Sequence, residues 1–149
     1  RITATAGPLA EALIWNRMVA AHERGDPPFS EGGRLTGCRC AYQSLAVRSD
    51  GTYVPCAMLP HLALGRIGQD PLVSVWRNAS MLNALRSRLS IPLSRFAECR
   101  DCSYQPYCTG NCPALAENLS GEVNRPAPDA CLKRYLDAGG ILPKVSLDR

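Results

Sequence analysis

Eight cysteines set the chemistry open to this chain: Cys38, Cys40, Cys56, Cys99, Cys102, Cys108, Cys112 and Cys131. Read from Cys40, the sequence runs C-x10-G-x4-C, with Gly51 as the glycine and Cys56 as the end. After a gap it runs C-x2-C-x5-C-x3-C from Cys99 to Cys112, and after a second gap a single Cys131 follows. Eight thiolates are enough for two four-cysteine metal sites, and the tight middle run reads as a ligand loop. Three chemistries compete. The cysteines pair into four disulfides in on the order of a hundred ways. Two zinc ions would take four thiolates each, with C-x2-C as a common knuckle. Iron–sulfur clusters are the third reading.

The middle run favours the third. Bacterial two-cluster ferredoxins close a run of spaced cysteines with one that is followed by proline, and that last cysteine ligates the other cluster. Here Pro113 follows Cys112, although the run is looser. A short loop wraps three corners of a cubane, the fourth thiolate points away, and a distant cysteine completes the set.

Composition bounds the rest. A chain of 149 residues makes one ordinary domain, or a small one with extensions. With 46% hydrophobic residues it is a folded chain, and twelve glycines and twelve prolines predict a loop-rich part that metal or crosslinks hold together. A four-thiolate [4Fe–4S] centre carries two negative charges, so two of them offset the formal +4. That basic balance is weak support for nucleic acid, which calls for a stronger bias. No apolar stretch approaches the length of a membrane span, and residues 1–30 lack the pattern of a secretory signal. The expected compartment is cytoplasmic, where cysteine clusters bind metal more often than they form disulfides.

The elements that would position the cysteines are legible. Pro8 and the spacing of Ala10, Leu13, Ile14, Met18 and Ala21 predict an amphipathic helix over residues 8–24. Residues 25–37 form a linker rich in glycine and proline. Residues 44–56 predict a β-hairpin around Ser49-Asp50-Gly51-Thr52, with Asp-Gly as the tight turn and Gly51 supplying positive φ. That hairpin folds Cys56 back towards Cys40. Asp70 and Pro71 predict a helix start, as N-cap and first residue. A break near residues 78–80 separates this helix from a second over residues 80–89, with Met81, Leu82, Leu85 and Leu89 as its apolar stripe. A short helix is expected from Pro113 to Leu119. A last helix starts at Pro128-Asp129, holds Cys131, Leu132, Tyr135 and Leu136, and ends at Gly139-Gly140.

The whole pattern resembles the SPASM domain of radical S-adenosylmethionine enzymes, a family of peptide- and cofactor-precursor-maturing enzymes. Its signature is C-x9–15-G-x4-C, a gap, C-x2-C-x5-C-x3-C, a gap, and C, which this chain satisfies from Cys40 to Cys131. The likeness covers roughly residues 36–137. It implies a small metal-stabilised α+β domain with a hairpin and several helices, and two auxiliary [4Fe–4S] clusters. Carried over residue by residue, the first cluster takes Cys38, Cys40, Cys56 and Cys112. The second takes Cys99, Cys102, Cys108 and Cys131. Cys38 lies outside the seven-cysteine signature; without it the first cluster would have an open iron.

Two departures matter. The family's catalytic cluster sits on C-x3-C-x2-C in an N-terminal partial barrel, and the chain contains no such motif. No catalytic residue is expected here, and S-adenosylmethionine is a cofactor only if a barrel is present elsewhere. Residues 1–35 then read as the end of that barrel, Arg1–Ala6 as strand and Pro8–Arg24 as helix, plus the linker; residues 36–140 form the two-cluster domain and residues 141–149 a tail. A freestanding electron carrier is the alternative, and a two-zinc structural or binding module the reading from another class. Sulfatase-maturing members carry an aspartate directly after the G-x4-C cysteine; here it is Ala57. That favours peptide crosslinking or cofactor-precursor maturation.

The resemblance implies as partners a peptide or small precursor substrate, a radical barrel in cis or in trans, and a flavodoxin- or ferredoxin-type donor or acceptor. Nucleic acid and membrane are not expected. His22 and His61 read as surface or loop residues. Arg77, Arg86, Arg88, Arg95 and Arg100 read as a solvated helix face, the alternative being a dock for an acidic partner. Trp15 and Trp76 read as core anchors, and Tyr104 and Tyr107 as shields of the second cluster. No paired carboxylates, nucleophile motif or phosphate loop support hydrolysis.

Overall fold

Pro8 opens the first helix, α1 (Pro8–Arg24), which ends as the linker glycine Gly25 turns left-handed. The protein is described by a computed structural model over residues 8–36 and 38–143. Six helices and one three-stranded antiparallel sheet make up the described residues, an α+β fold. The expected strand over residues 1–6 and most of the expected tail lie outside them. Two compact units divide the chain: Arg1–Thr36 with Ile91–Arg149, and Gly37–Ser90.

In the first unit, α1 buries Ala12, Trp15, Met18 and Ala21. This face differs from the expected stripe: Leu13 and Ile14 are half-exposed. A spacing of three repeated along the helix selects the tryptophan face instead, because burying its large ring removes more apolar area than either aliphatic side chain. Trp15, Met18 and Ala21 pack with Tyr107 and Leu132, and Cys108 lies against this core. The Trp15 ring meets Tyr135 at 4.9 Å between centroids. Helix α5 (Pro113–Ser120) and helix α6 (Leu132–Asp137) complete the unit, together with the one-turn helix α4 (Ala97–Arg100).

The linker is not a free tether. Phe29, Gly33 and Thr36 donate backbone hydrogen bonds to the carbonyls of Pro106, Cys108 and Thr109, at 3.2, 2.9 and 2.7 Å. The segment rich in glycine and proline is therefore stitched along the cysteine loop.

In the second unit, β1 (Ala46–Val47) pairs with β2 (Thr52–Val54), and β2 pairs with β3 (Gly65–Arg66). The hairpin forms as expected, but its turn is longer than a two-residue Asp-Gly turn. Gly51 N–H bonds to the Arg48 carbonyl at 2.9 Å, so Ser49 and Asp50 are the central pair. Gly51, with φ of 84°, takes the left-handed bulge position that follows such a turn. Asp50 accepts from Thr52 N–H at 3.0 Å, and this bond is the first reason its carboxyl sits below the usual range.

Helix α2 (Leu72–Asn78) starts one residue later than expected: its N-cap is Pro71. The Asp70 carboxylate accepts from Arg66 N–H at 2.8 Å. The competing backbone donor on β3 claims the carboxylate that the sequence offered as a helix cap. Helix α3 (Ser80–Ser87) follows the break at Ala79 and buries Leu82 and Leu85. The chain then tightens into a 3-10 turn over Arg88–Ser90. This changes which residues face inward: Leu89 is 37% exposed and Arg88 is fully buried, against the expectation of a solvated arginine.

Arg86 also departs from the solvated reading. It donates to the Ala41 and Trp76 carbonyls and to Asn83 Oδ1, each at 2.8 Å, and its guanidinium stacks 5.0 Å from the Trp76 ring centre. One side chain ties α2, α3 and the 3-10 turn Arg39–Ala41 together. A lysine cannot reproduce this fork. Arg86→Lys is expected to lower unfolding stability by about 1–2 kcal/mol, read from the denaturant midpoint of the metal-loaded chain.

Candidate metal centre

Four cysteines share the first unit's loop and its return. Cys99 sits on α4, Cys102 follows its C-cap Asp101, and a 3-10 turn over Gln105–Tyr107 delivers Cys108. Each step is a tight reversal: Cys102 N–H bonds to the Cys99 carbonyl at 3.2 Å, and Gln105 N–H to the Cys102 carbonyl at 3.0 Å. Cys131 follows a second 3-10 turn, Pro128–Ala130. It is the extended N-cap of α6 and not a residue within the last helix, as the sequence suggested. Pro128 caused that misplacement, because it opens a tight turn that ends before α6 begins.

Burial governs two of these thiols. Burial first, and then neighbouring Cys108, push the Cys99 thiol up to about 12, with Cys131 and Cys102 adding to it. Burial likewise raises Cys108, with Cys131 and Cys102 contributing, while the Gly110 N–H opposes the rise. That N–H points at Cys108 Sγ from 3.4 Å. The Lys133 ammonium is raised first by its bond to Asp137 and also by Cys102 and Cys131. Burial keeps Cys99 and Cys108 protonated, so a metal bound there would have to displace their protons.

No disulfide links any of the eight cysteines. Among the described residues, no three Cys, His, Asp or Glu side chains converge as the ligands of one ion do. Cys99, Cys102, Cys108 and Cys131 are soft, partly exposed donors, and one N–H is aimed at Cys108 Sγ; an iron–sulfur cluster would accept donors of this kind.

Cys112 ends the run differently. It is the N-cap of α5, and Pro113 is the first helical residue. The partial positive charge of a helix N-terminus favours an anion there. Before it, Gly110 and Asn111 are both left-handed, with φ of 66° and 60°. This double reversal separates Cys108 from Cys112.

The remaining cysteines belong to the second unit. Cys38 is left-handed, with φ of 54°, and its carbonyl accepts from Ala41 N–H at 3.2 Å. Cys40 is buried on the 3-10 turn between them. Cys56 follows β2, and its carbonyl accepts from Leu59 N–H at 3.1 Å. Cys38, Cys40 and Cys56 therefore lie in one unit and Cys112 in the other.

A cavity of about 450 Å³ opens beside the cysteine loop, with Cys108 in its wall. Trp15, Met18, Phe29 and Tyr107 give it an apolar side, while Glu11 and Asn111 give it a polar one. Tyr107 is buried in the core and donates its hydroxyl to the Asp26 carbonyl at 2.8 Å. Tyr104 lies against the same core and meets the exposed His22 ring edge-on at 5.2 Å. His61 is exposed. The sequence reading passed over Asn111 and Glu11. A polar residue between a loop glycine and a cysteine was the only signal available.

Residues 38–103 match the sequence profile of the SPASM family, an iron–sulfur cluster-binding domain. The match takes in Cys38, Cys40, Cys56, Cys99 and Cys102. Neither a curated protein nor a solved structure matches the chain.

Proposed function

We propose that the SPASM iron–sulfur domain carried by this chain serves as the auxiliary-cluster part of a radical S-adenosylmethionine maturase acting on a peptide or a small precursor. What supports this reading is the match of residues 38–103 to the SPASM iron–sulfur cluster-binding family, in a chain whose seven cysteines from Cys40 to Cys131 follow the SPASM order and spacing. Cys99, Cys102, Cys108 and Cys131 would hold one [4Fe–4S] cluster. By the resemblance alone, Cys38, Cys40, Cys56 and Cys112 would hold another. When bound, such clusters supply one-electron transfer over a wide, protein-tuned range of potentials.

The chain's own residues have definite parts in this. The Gly110 N–H stabilises charge on Cys108 Sγ. Trp15, Met18 and Tyr107 form the apolar core against which Cys108 lies. The cavity beside Cys108 gives a partner or substrate a way to approach this edge. The exposed Leu13 and Ile14 on α1 supply apolar surface for a partial barrel to cover. The radical step belongs to that barrel, in cis or in trans. Electrons leave or arrive through a flavodoxin- or ferredoxin-type protein, and the compartment is the cytoplasm. No helix among the described residues is long and apolar enough to cross a membrane.

Anaerobic reductive titration tests the relay. The expected result is uptake of one electron per cluster, two per chain, reversed by a flavodoxin-type acceptor. Protein that takes up no electrons within the potential range of such clusters would overturn it.

A further inference from the structure

Asn111 occupies an unusual position. It is a non-glycine residue in the left-handed region, between a glycine that is also left-handed and the cysteine that caps α5. Asparagine tolerates this conformation better than most residues because its side chain bonds locally. Here Oδ1 accepts from Cys112 N–H at 2.6 Å, and Nδ2 donates to Glu11 Oε2 at 2.7 Å. Glu11 lies in the first turn of α1, a hundred residues away in sequence. The amide is thereby held at both ends. Its rotamer is set by the carboxylate on one side, and the peptide of Cys112 is set by the amide on the other.

We propose that Glu11 and Asn111 are positioning residues for Cys112, fixing where this thiolate points by way of its backbone N–H. The inference rests on the reading of Cys112 as a cluster ligand. Hydrogen bonds of this kind orient metal ligands, and their loss typically costs about 10–100-fold in metal affinity. They also give α1 a direct line to a cluster ligand: a displacement of α1 that withdraws Glu11 frees the amide and, with it, the Cys112 peptide. Both residues line the cavity that reaches Cys108, so the pair stands where a bound partner would meet it.

The test uses the full chain, purified anaerobically, in four forms: wild type, Asn111→Gly, Glu11→Ala and Glu11→Gln. Glycine keeps the left-handed backbone and removes both side-chain bonds. Glutamine keeps an oxygen acceptor for the amide. Iron release to a chelator is followed together with the electron paramagnetic resonance spectrum of the reduced protein. The expected result is that Asn111→Gly and Glu11→Ala release about half of the iron roughly tenfold faster. The other half should leave at the wild-type rate, one cluster's resonance should change, and Glu11→Gln should match the wild type. Release at the wild-type rate from every variant overturns the inference and leaves the functional reading standing. So does equal acceleration of both halves with a falling thermal midpoint, which marks general destabilisation. Wild-type protein that holds zinc and no iron overturns the functional reading and this inference together.

Discussion

Replacing Cys108 with alanine is expected to remove about half of the iron from this chain while leaving the rest bound. In the proposed assignment Cys108 is one of the four ligands of the second cluster. Its thiol is coupled to Cys131 and Cys102 and raises Cys99 in turn, and the Gly110 N–H points at its sulfur. Without it three of the proposed ligands would remain: Cys99 on α4, Cys102 beyond its end and Cys131 at the N-cap of α6. In the other unit, the carbonyls of Cys38 and Cys56 close their own turns with Ala41 N–H and Leu59 N–H. Cys108 also lies against the Trp15 and Leu132 core, so alanine leaves a small void in addition to the missing ligand. Cys108→Ser separates the two effects, because serine keeps the volume and gives up the soft thiolate. Equal iron loss in both variants assigns the effect to ligation. Full iron retention in both would contradict the ligand assignment.

The second large effect is expected at Gly110, and it concerns the fold. Gly110 is left-handed, with φ of 66°, a conformation that costs an L residue about 1–2 kcal/mol. A Cβ placed there would meet Leu35 Cδ2 at 2.4 Å and Leu93 Cδ2 at 3.1 Å. Both leucines are buried, at 0% and 1% exposure, so neither tip has open space to swing into. They are locked further by the Arg34–Pro92 bridge and by the Leu35 N–H bond to the Ile91 carbonyl at 3.0 Å. Overpacking of such a site adds about 1–3 kcal/mol. Gly110→Ala is therefore expected to lose about 2–5 kcal/mol of stability, with cluster loading falling as the loop distorts. Gly121→Ala is the control: it is also left-handed, with φ of 75°, but nothing lies within 4 Å of the added Cβ. Its cost should stop at the backbone strain. Equal midpoints for the two variants would contradict the packing argument.

The parts of the molecule that the sequence made legible are those governed by local rules. The run of periodic residues after Pro8 is a helix with the expected ends, the alternation about Gly51 is a hairpin, and Cys112-Pro113 opens a helix. The parts it hid are governed by competition among distant groups. Strand β3 is two residues long, Gly65 and Arg66, and has no alternation to read; it exists because β2 offers a free edge and Asp70 receives its N–H. Arg88 read as a surface cation, and Leu89 as part of the apolar stripe. The tightening after α3 rotates the chain and reverses them. Trp15 is the core anchor that the sequence suggested, but its packing around Tyr107 and Leu132 leaves Leu13 and Ile14 half-exposed.

The site was legible to the same degree. The order and spacing of cysteines within the run prescribe tight turns, and Cys99, Cys102 and Cys108 sit on such turns. Spacing says nothing about Cys131, whose approach depends on how α6 packs against the α1 core. Nor does it reveal that the linker over residues 29–36 hydrogen-bonds along the loop, or that Glu11 reaches Asn111. Each of these joins residues far apart in the chain, and no local propensity encodes such a meeting.

The central claim is that the eight cysteines hold iron–sulfur clusters. Iron, sulfide and zinc content, measured with an absorption spectrum on protein purified without oxygen, tests it most directly. Two [4Fe–4S] clusters predict about eight irons and about eight sulfides per chain, with a broad band near about 400 nm. Colourless protein carrying two zinc ions and no sulfide would contradict the account and leave a structural or binding module in its place.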